Sequence, residues 1–460
     1  VIPMTSWLSQ QFGRRNYFAA SIILFTVSSF LCGNASNIWE LVAFRFMQGL
    51  GGGALLVTAQ TIITESYPVA KRGMAQAIYG MGVIVGPTLG PPLGGYITDH
   101  FSWPYIFYIN IPIGIIATIL TLLFVKSPKY GEKLAANQVD WWGIFFLASF
   151  IGSLQFVLEH GQQDDWFNDT RIVVLSVIST FGLLAFVWRE MTYKHPIVNL
   201  KVLKDTNLRV GTIMSFILGF GLYGSTFIIP IYTQSVLGWS ALNAGLLLIP
   251  SSITTGFMMP FIGKMLQRGV PQAYMVAVGF MVFFVFSFWM NGVLTPDTGE
   301  EHLFWPLILR GIGLGLLFVP ITTLSLSTLK GKNIGEGAAF TGMMRQLGGS
   351  FGIAIITTFI ARFNQQHRVN LISHLDKTAY NVQQRMIILQ KGFMSKGFSA
   401  SEALGKAYQS MEFVVMKQAA VLSYMDVFSW LGILFLVCIP FVLVIKKGKK
   451  KEIDISEAMH

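Results

Sequence analysis

Twelve nearly charge-free stretches of about twenty residues follow one another along this 460-residue sequence, and no other feature restricts the fold so tightly. They cover residues 17–33, 41–63, 73–98, 105–125, 141–158, 172–188, 210–232, 244–263, 273–291, 303–329, 337–361 and 427–445. A hydrocarbon layer takes ~20 residues of helix, because without water every backbone N–H and C=O must be paired inside the segment. One such run fits a buried helix of a soluble protein; twelve in series predict an all-α integral membrane protein. Composition agrees, with 53% of residues hydrophobic and 12% charged, where a soluble domain carries about 25% charged. Those proportions exclude a soluble enzyme of this length and a disordered chain. Cys32 and Cys438 both sit inside apolar runs, which excludes a disulfide framework or a cysteine-based metal centre, and no other metal site is expected. Residues 1–9 read as the end of a further span, so the sequence is expected to be part of a longer chain.

Charge placement gives the orientation. With residues 10–16 set in the cytoplasm, twenty-one of the 33 Lys and Arg fall in loops or tail on that side, and one, Arg171, in a short loop on the other. Eight lie in a long polar segment, 362–423, and three (Arg45, Arg310 and Arg345) lie within spans. This asymmetry orients helices in a bilayer and predicts a cytoplasmic C-terminus. The net charge of +11 is therefore a matter of sidedness and predicts no nucleic-acid partner.

The sequence also repeats itself weakly. LVAFRFMQGLGGGALLV at Leu41 has a counterpart in PLILRGIGLGLLFVP at Pro306, with Arg45 and Arg310 265 residues apart and Gly49 and Gly51 matching Gly313 and Gly315 at 264. The next span keeps the register. Parallel repeats of helical bundles mark transporters whose halves rock about a site near the mid-plane. Setting the Arg310 span fourth among six places the Arg45 span fourth in its own half. The expected organisation is then 1–125, an N-terminal bundle without its first helix and most of its second; 126–205, two inserted helices and a linker; 206–446, a C-terminal bundle; and 447–460, a basic tail. Fourteen spans are expected in the intact protein.

A charge at the centre of a span costs at least ~2.5 kcal/mol on insertion scales, so Arg45, Arg310 and Arg345 need partners and are candidate functional residues. No Asp or Glu lies at mid-depth of a span; Asp426, at the outer end of the last one, is either a proton relay or a solvated carboxylate. Beside Arg45 stand Gln48, Gly49 and Gly53, the two glycines one turn apart to admit a neighbouring helix. In MGVIVGPTLGPPLGGYI, Gly82, Gly86, Gly90 and Gly94 recur every fourth residue and pave one helix face, with Gly95 following. Pro87, Pro91 and Pro92 remove backbone donors and loosen that helix, which suits a seam along which two halves slide. Residues 348–352 fit G-x-S-x-G, but inside an apolar run with no strand before it they read as helix packing. No G-x-x-x-x-G-K-[ST] loop is present for ATP-driven transport.

The loop WLSQQFGRRNYF, with Leu8, Gly13, Arg14 and Arg15, resembles the motif G-x-L-x-D-R-x-G-R-[KR] of the major facilitator superfamily, with Ser6, Gln10 and Gln11 in place of its Gly, Asp and Arg. The glycine–proline helix is similar to the exporters' signature G-x-x-x-G-P-x-x-G-G. From Ser6 to Lys447 the chain resembles the fourteen-helix drug:proton antiporter group, EmrB/QacA subfamily. The resemblance implies a major facilitator fold, two pseudo-symmetric six-helix bundles plus two inserted helices, working by alternating access as a secondary active transporter and not an enzyme. It implies efflux of amphipathic or lipophilic compounds driven by the proton gradient, with no cofactor, from the inner membrane of a bacterium. Leu8, Gly13, Arg14 and Arg15 would belong to the cytoplasmic gate, whose acidic latch is replaced by the neutral Gln10, and Arg45 would tune a proton-carrying acid on the first helix; the plainer role for Arg45 is to tether helices through backbone carbonyls. Expected partners are the lipid bilayer, small amphipathic substrates, and a periplasmic adaptor protein with an outer-membrane channel.

Segment 362–423 lacks Pro, holds two amphipathic stretches and has a capping-box pair, Ser399 and Glu402. It is expected to fold as a helical hairpin that either docks the adaptor or shields the outer vestibule. Phe220, Tyr223, Phe227 and Gln234 are expected to line the substrate cavity. A carrier of one defined metabolite and a non-transporting membrane scaffold are the alternative readings.

Overall fold

The computed structural model describes residues 1–127, 138–376 and 378–443; Lys129, Lys133, the end of the 427–445 run and the basic tail 447–460 lie outside the described residues. A short turn leads into α1 (Thr5–Phe12), and Gly13, at φ 81°, swings the chain into α2 (Arg14–Gly33). There follow α3 (Ile38–Ser66), α4 (Arg72–His100), α5 (Tyr105–Tyr108) and α6 (Asn110–Phe124), then the hairpin of α7 (Trp141–His160) and α8 (Thr170–Thr192). The rest is α9 (Thr206–Ser235), α10 (Ala241–Leu246), α11 (Ile249–Gln267), α12 (Gln272–Val293), α13 (Glu300–Leu326), α14 (Lys332–Ser373), α15 (Tyr380–Met394) and α16 (Ala400–Leu443). Short polar side chains start the apolar helices: Asn37, Asp140, Asp169, Asp205 and Ser240 each accept a first-turn amide.

Among the described residues, eleven helical segments are long and apolar enough to cross a membrane. They coincide with eleven of the twelve expected runs. The twelfth is α4, which is not among them, although its 29 residues measure about 44 Å. Its glycines and its three internal prolines dilute the apolar side chains.

The two halves repeat their packing. Helix α2 lies on α3 and α6 as α12 lies on α13 and α16. The halves meet where α4 packs on α10, α11 and α13, and where α14 packs on α1 and α3. Helices α3 and α13, carrying Arg45 and Arg310, thus hold corresponding places. The C-terminal half closes over Phe280, Phe283, Phe286, Phe428 and Phe435, all fully buried. Between α9 and α14 the approach is backbone to backbone: Gly219 lies against the Arg345 carbonyl, and Gly348 of the G-x-S-x-G sequence against the Phe216 carbonyl. That sequence is helix packing.

Helices α14 and α16 run on beyond the bundle, and α15 packs on α16. Segment 362–423 is therefore the end of α14, all of α15 and the start of α16. Arg368 pairs with Glu412, and the amide of Glu402 donates to Ser399 Oγ (3.4 Å) while Glu402 Oε2 accepts from the Ser399 amide (3.0 Å).

The α7–α8 hairpin is pinned at one end by an ion pair between Arg189 Nε and Asp140 Oδ1 at 2.9 Å, with Asp140 1% exposed and the guanidinium over the Tyr193 ring. Removing one partner of a buried pair strands the other charge, so Asp140→Ala is expected to cost about 3 kcal/mol. Thermal melting of the purified protein checks this; Arg171→Ala, which breaks an exposed pair with Asp169 and leaves that residue's cap on α8 in place, is expected to leave the melting temperature unchanged.

Candidate functional site

Two repeated helical bundles move, where they move, against each other along their shared seam, and the candidate site lies there. On the α4 side it is made by glycines that let backbones touch. A methyl added at Gly80 would come within 2.7 Å of the Phe318 ring and 2.9 Å of Met259 Sδ; one at Gly95 would come within 3.1 Å of the Leu242 amide, and one at Gly245 within 2.6 Å of the Pro92 nitrogen. Pro92 has no N–H to leave unpaired there.

This corrects the expectation for the fourfold ladder. A Cβ at Gly82, Gly86, Gly90 or Gly94 meets nothing within 4 Å, so the ladder faces open space and the adjacent face, through Gly80 and Gly95, carries the seam. Pro87, Pro91 and Pro92 lie inside an α4 that runs unbroken from Arg72 to His100. A similar shift holds on α3. Gly49 is open and Gly53 meets Val1 and Ile2, whereas Gly51 takes the close approach of α2, where an added methyl would come within 2.7 Å of the Ser21 carbonyl oxygen.

The three intramembrane arginines have different surroundings. Arg310, 1% exposed, donates to hydroxyls on two other helices: Nε to Ser225 Oγ (2.8 Å), Nη1 to Ser251 Oγ (3.0 Å) and Nη2 to Thr226 Oγ1. Its partners are neutral, and it fastens α13 to α9 and α11. Arg45 is exposed, donates to Gln48 Oε1 (2.9 Å) and lies 5.5 Å from the Phe107 ring centre; Gln48 passes the chain on to Ser29 Oγ (2.6 Å). Arg345, on α14, is 3% exposed and reaches the other half: Nη2 donates to the Tyr79 hydroxyl of α4 (3.3 Å), and the guanidinium lies 5.1 Å from the Phe318 ring centre. Its Nη1 is buried with no hydrogen-bond partner.

At the basic-loop end, Arg14 forms a two-pronged ion pair with Glu65 (2.5 and 3.0 Å), within the N-terminal half. The Arg15 amide donates to Ser127 Oγ (3.1 Å), Leu8 is half-buried on α1, and Gln10 donates to Ser6 Oγ on its own helix (3.3 Å). The contact that crosses between halves is Arg72, whose Nη1 donates to the carbonyls of Leu326 (3.1 Å) and Leu329 (3.3 Å) at the end of α13, where a cation is favoured. Asp426 Oδ2 is bonded to His367 Nε2 at 2.7 Å, a contact that joins α16 to α14, with 43% of its side chain exposed.

The four cavity candidates do not converge. Phe220 lines an apolar cavity of about 200 Å³ with Ile356, Phe359, Trp430 and Leu434. Tyr223 packs on Gly349 of α14, Phe227 is half-buried, and Gln234 is exposed with its amide on the Pro230 carbonyl. A larger apolar cavity, about 340 Å³, lies beside α7 and α14, where Ile144, Leu147, Met343 and Leu347 surround the polar ends of Gln155 and Gln346. Sequence reading passed over Glu65, Tyr79 and Arg72, and also the buried pair Gln60 and Gln76 (3.1 Å) that joins α3 to α4. The sole advance signal was two amides repeating within otherwise apolar helices.

Seam and ladder are separable by substitution. Gly80→Val is expected to lower stability by about 1–3 kcal/mol through overpacking on Phe318 and Met259. Gly86→Ala, with open space around it, is expected to hold or gain about 0.5 kcal/mol from helix propensity. Melting curves of the two variants in the same detergent give the comparison.

Residues 1–353 match the Major Facilitator Superfamily. The sequence is 32% identical over 446 residues to the fatty acid resistance protein FarB of Neisseria gonorrhoeae, covering 97% of this chain and 85% of that one. It is 30% identical over 441 residues to the multidrug export protein EmrB of Escherichia coli (strain K12), covering 96% and 84%. In fold it is similar to the solved proton:xylose symporter XylE, with a TM-score of 0.57 at 13% identity over 96% of this chain and 82% of that one. Two repeated helical bundles meeting at a glycine-lined seam, in a sequence so matched, are those of a multi-pass membrane transporter: the chain belongs to the Major Facilitator Superfamily.

Proposed function

We propose that the protein exports amphipathic or lipophilic compounds across the bacterial inner membrane by alternating access, driven by inward proton flow, with its C-terminus in the cytoplasm. The observation that carries this reading is the Arg345–Tyr79 contact between halves, deep in the span, which has to break when the halves part. Broken, it frees a guanidinium that already has one unpaired buried N–H, beside the Phe318 ring. A cation among aromatic and aliphatic groups suits a compound with an apolar body and one hydrogen-bond acceptor. The relatives named for multidrug export and fatty acid resistance support the same class.

In cells lacking other pumps, expression of the intact protein is expected to lower retention of lipophilic dyes, and a protonophore to abolish the difference. Arg345→Ala is expected to return retention about tenfold toward the empty-vector level, the loss that follows from removing one charged contact of about 1.4 kcal/mol. Unchanged retention across a broad panel, with and without protonophore, overturns the proposal.

The second part of the reading concerns the extension formed by α14, α15 and α16. At 42 residues α14 is about 63 Å long, twice the ~30 Å of a hydrocarbon core, so the α15–α16 hairpin stands clear of the lipid. There α16 exposes Tyr408, Phe413 and Val414. The extension is the docking element for a periplasmic adaptor. Removing residues 376–398 is expected to abolish cross-linking to a co-expressed adaptor; persistent cross-linking overturns it.

A further inference from the structure

Where α1, the linker after α8 and the first turn of α14 come together, the protein forms an open cleft of about 580 Å³ with several polar and basic side chains on its wall. Lys194, His195 and Lys201 of the linker line it with Lys332 of α14 and Trp7 of α1. One carboxylate is at the wall, Glu336, and it is engaged by Asn199 Nδ2 at 3.1 Å. Among the described residues none of the three lysines is in ion-pair contact with a carboxylate. The Trp7 indole N–H, at the same wall, is buried without an acceptor.

The wall is firmly held. Glu190 Oε2 accepts from the Val198 amide (3.3 Å), and Ile197 and Val198, each 5% exposed, pack into a cluster with Leu147, Phe186 and Phe340. Asn199 then ties the linker across to α14. The lysines are thereby gathered around one concavity, although mutual repulsion would otherwise spread them. Helix α14 also begins there, with the amides of Asn333 and Ile334 bonded to the Lys330 and Gly331 carbonyls, and the positive end of its dipole adds to the potential. The basic lining favours an anionic group, and the volume leaves room for one as large as a lipid headgroup.

We infer that this cleft binds a phosphate-bearing anion, either the headgroup of an anionic phospholipid or a free phosphate, held by Lys194, Lys201 and Lys332. Because α1 belongs to one half and α14 to the other, the occupant ties the halves together at this end and favours the arrangement in which they touch.

The test uses the purified full chain in neutral detergent, with native mass spectrometry reading dioleoyl phosphatidylglycerol or dioleoyl phosphatidylcholine retained. The unmodified protein is expected to prefer phosphatidylglycerol by about tenfold or more, since each nearby lysine contributes roughly a fivefold preference for an anionic lipid. The variant Lys194→Gln/Lys201→Gln/Lys332→Gln is expected to lose that preference, Lys194→Arg/Lys201→Arg/Lys332→Arg to keep most of it, and Lys264→Gln/Arg268→Gln, at the same end but away from the cleft, to keep it whole. Inorganic phosphate that displaces the lipid assigns the soluble source; lipid that resists it assigns the headgroup. Should the triple glutamine variant fail to purify, Lys201→Gln alone is expected to weaken the preference about fivefold. Equal retention of the two lipids by the unmodified protein, or an undiminished preference in the glutamine variants, overturns the inference. Binding is read here without transport, so its failure is distinct from failure of the export assay.

Discussion

In hydrocarbon there is no gain in hiding one apolar side chain against another, and the whole structure follows from that loss. Helices are brought together instead by backbone contact at small residues and by polar side chains that have no water to turn to. The α9–α14 contact shows the first device, with Gly219 and Gly348 each placed on the partner's carbonyl. Arg310 shows the second. Its guanidinium is ringed by Ser225, Thr226 and Ser251, hydroxyls that would be unremarked on the surface of a soluble protein. The exterior is the mirror of this arrangement, with Ile113, Leu123 and Phe181 left exposed because the surrounding medium is as apolar as they are.

The two halves use these devices differently. The C-terminal half is closed by tilted and edge-on aromatic contacts between α12 and α16 and by Arg310, all internal to it. The seam between halves is joined by glycine contacts, by one arginine on a helix end and one on a tyrosine hydroxyl, and by Ala77, Val83 and Ile84 of α4, which pack into the same buried cluster as the C-terminal half.

Spans and repeat were legible in the sequence because each rests on the pattern of apolar and small residues along the chain, which no tertiary contact can alter. Rotation about a helix axis was not legible. The ladder of Gly82, Gly86, Gly90 and Gly94 identifies a face, but only the neighbouring helices decide which face is turned inward, and here it is the one through Gly80 and Gly95. Pairings between distant helices were equally hidden: nothing in the local sequence of Tyr79 points to Arg345, 266 residues away. The expectation of a helical outer segment succeeded because its capping and amphipathic signals are local; the fusion of its ends with the two long spans was out of reach of such signals.

Helix α14 begins at the basic cleft, passes Arg345 and ends in the outer extension, 42 residues without a break. A rod of about 63 Å works as a lever: tilting it by about 5° about Arg345 sweeps its far tip, about 42 Å on, by some 4 Å. Events on one side of the membrane are in this way mechanically audible on the other, with the fulcrum at the point where the halves touch.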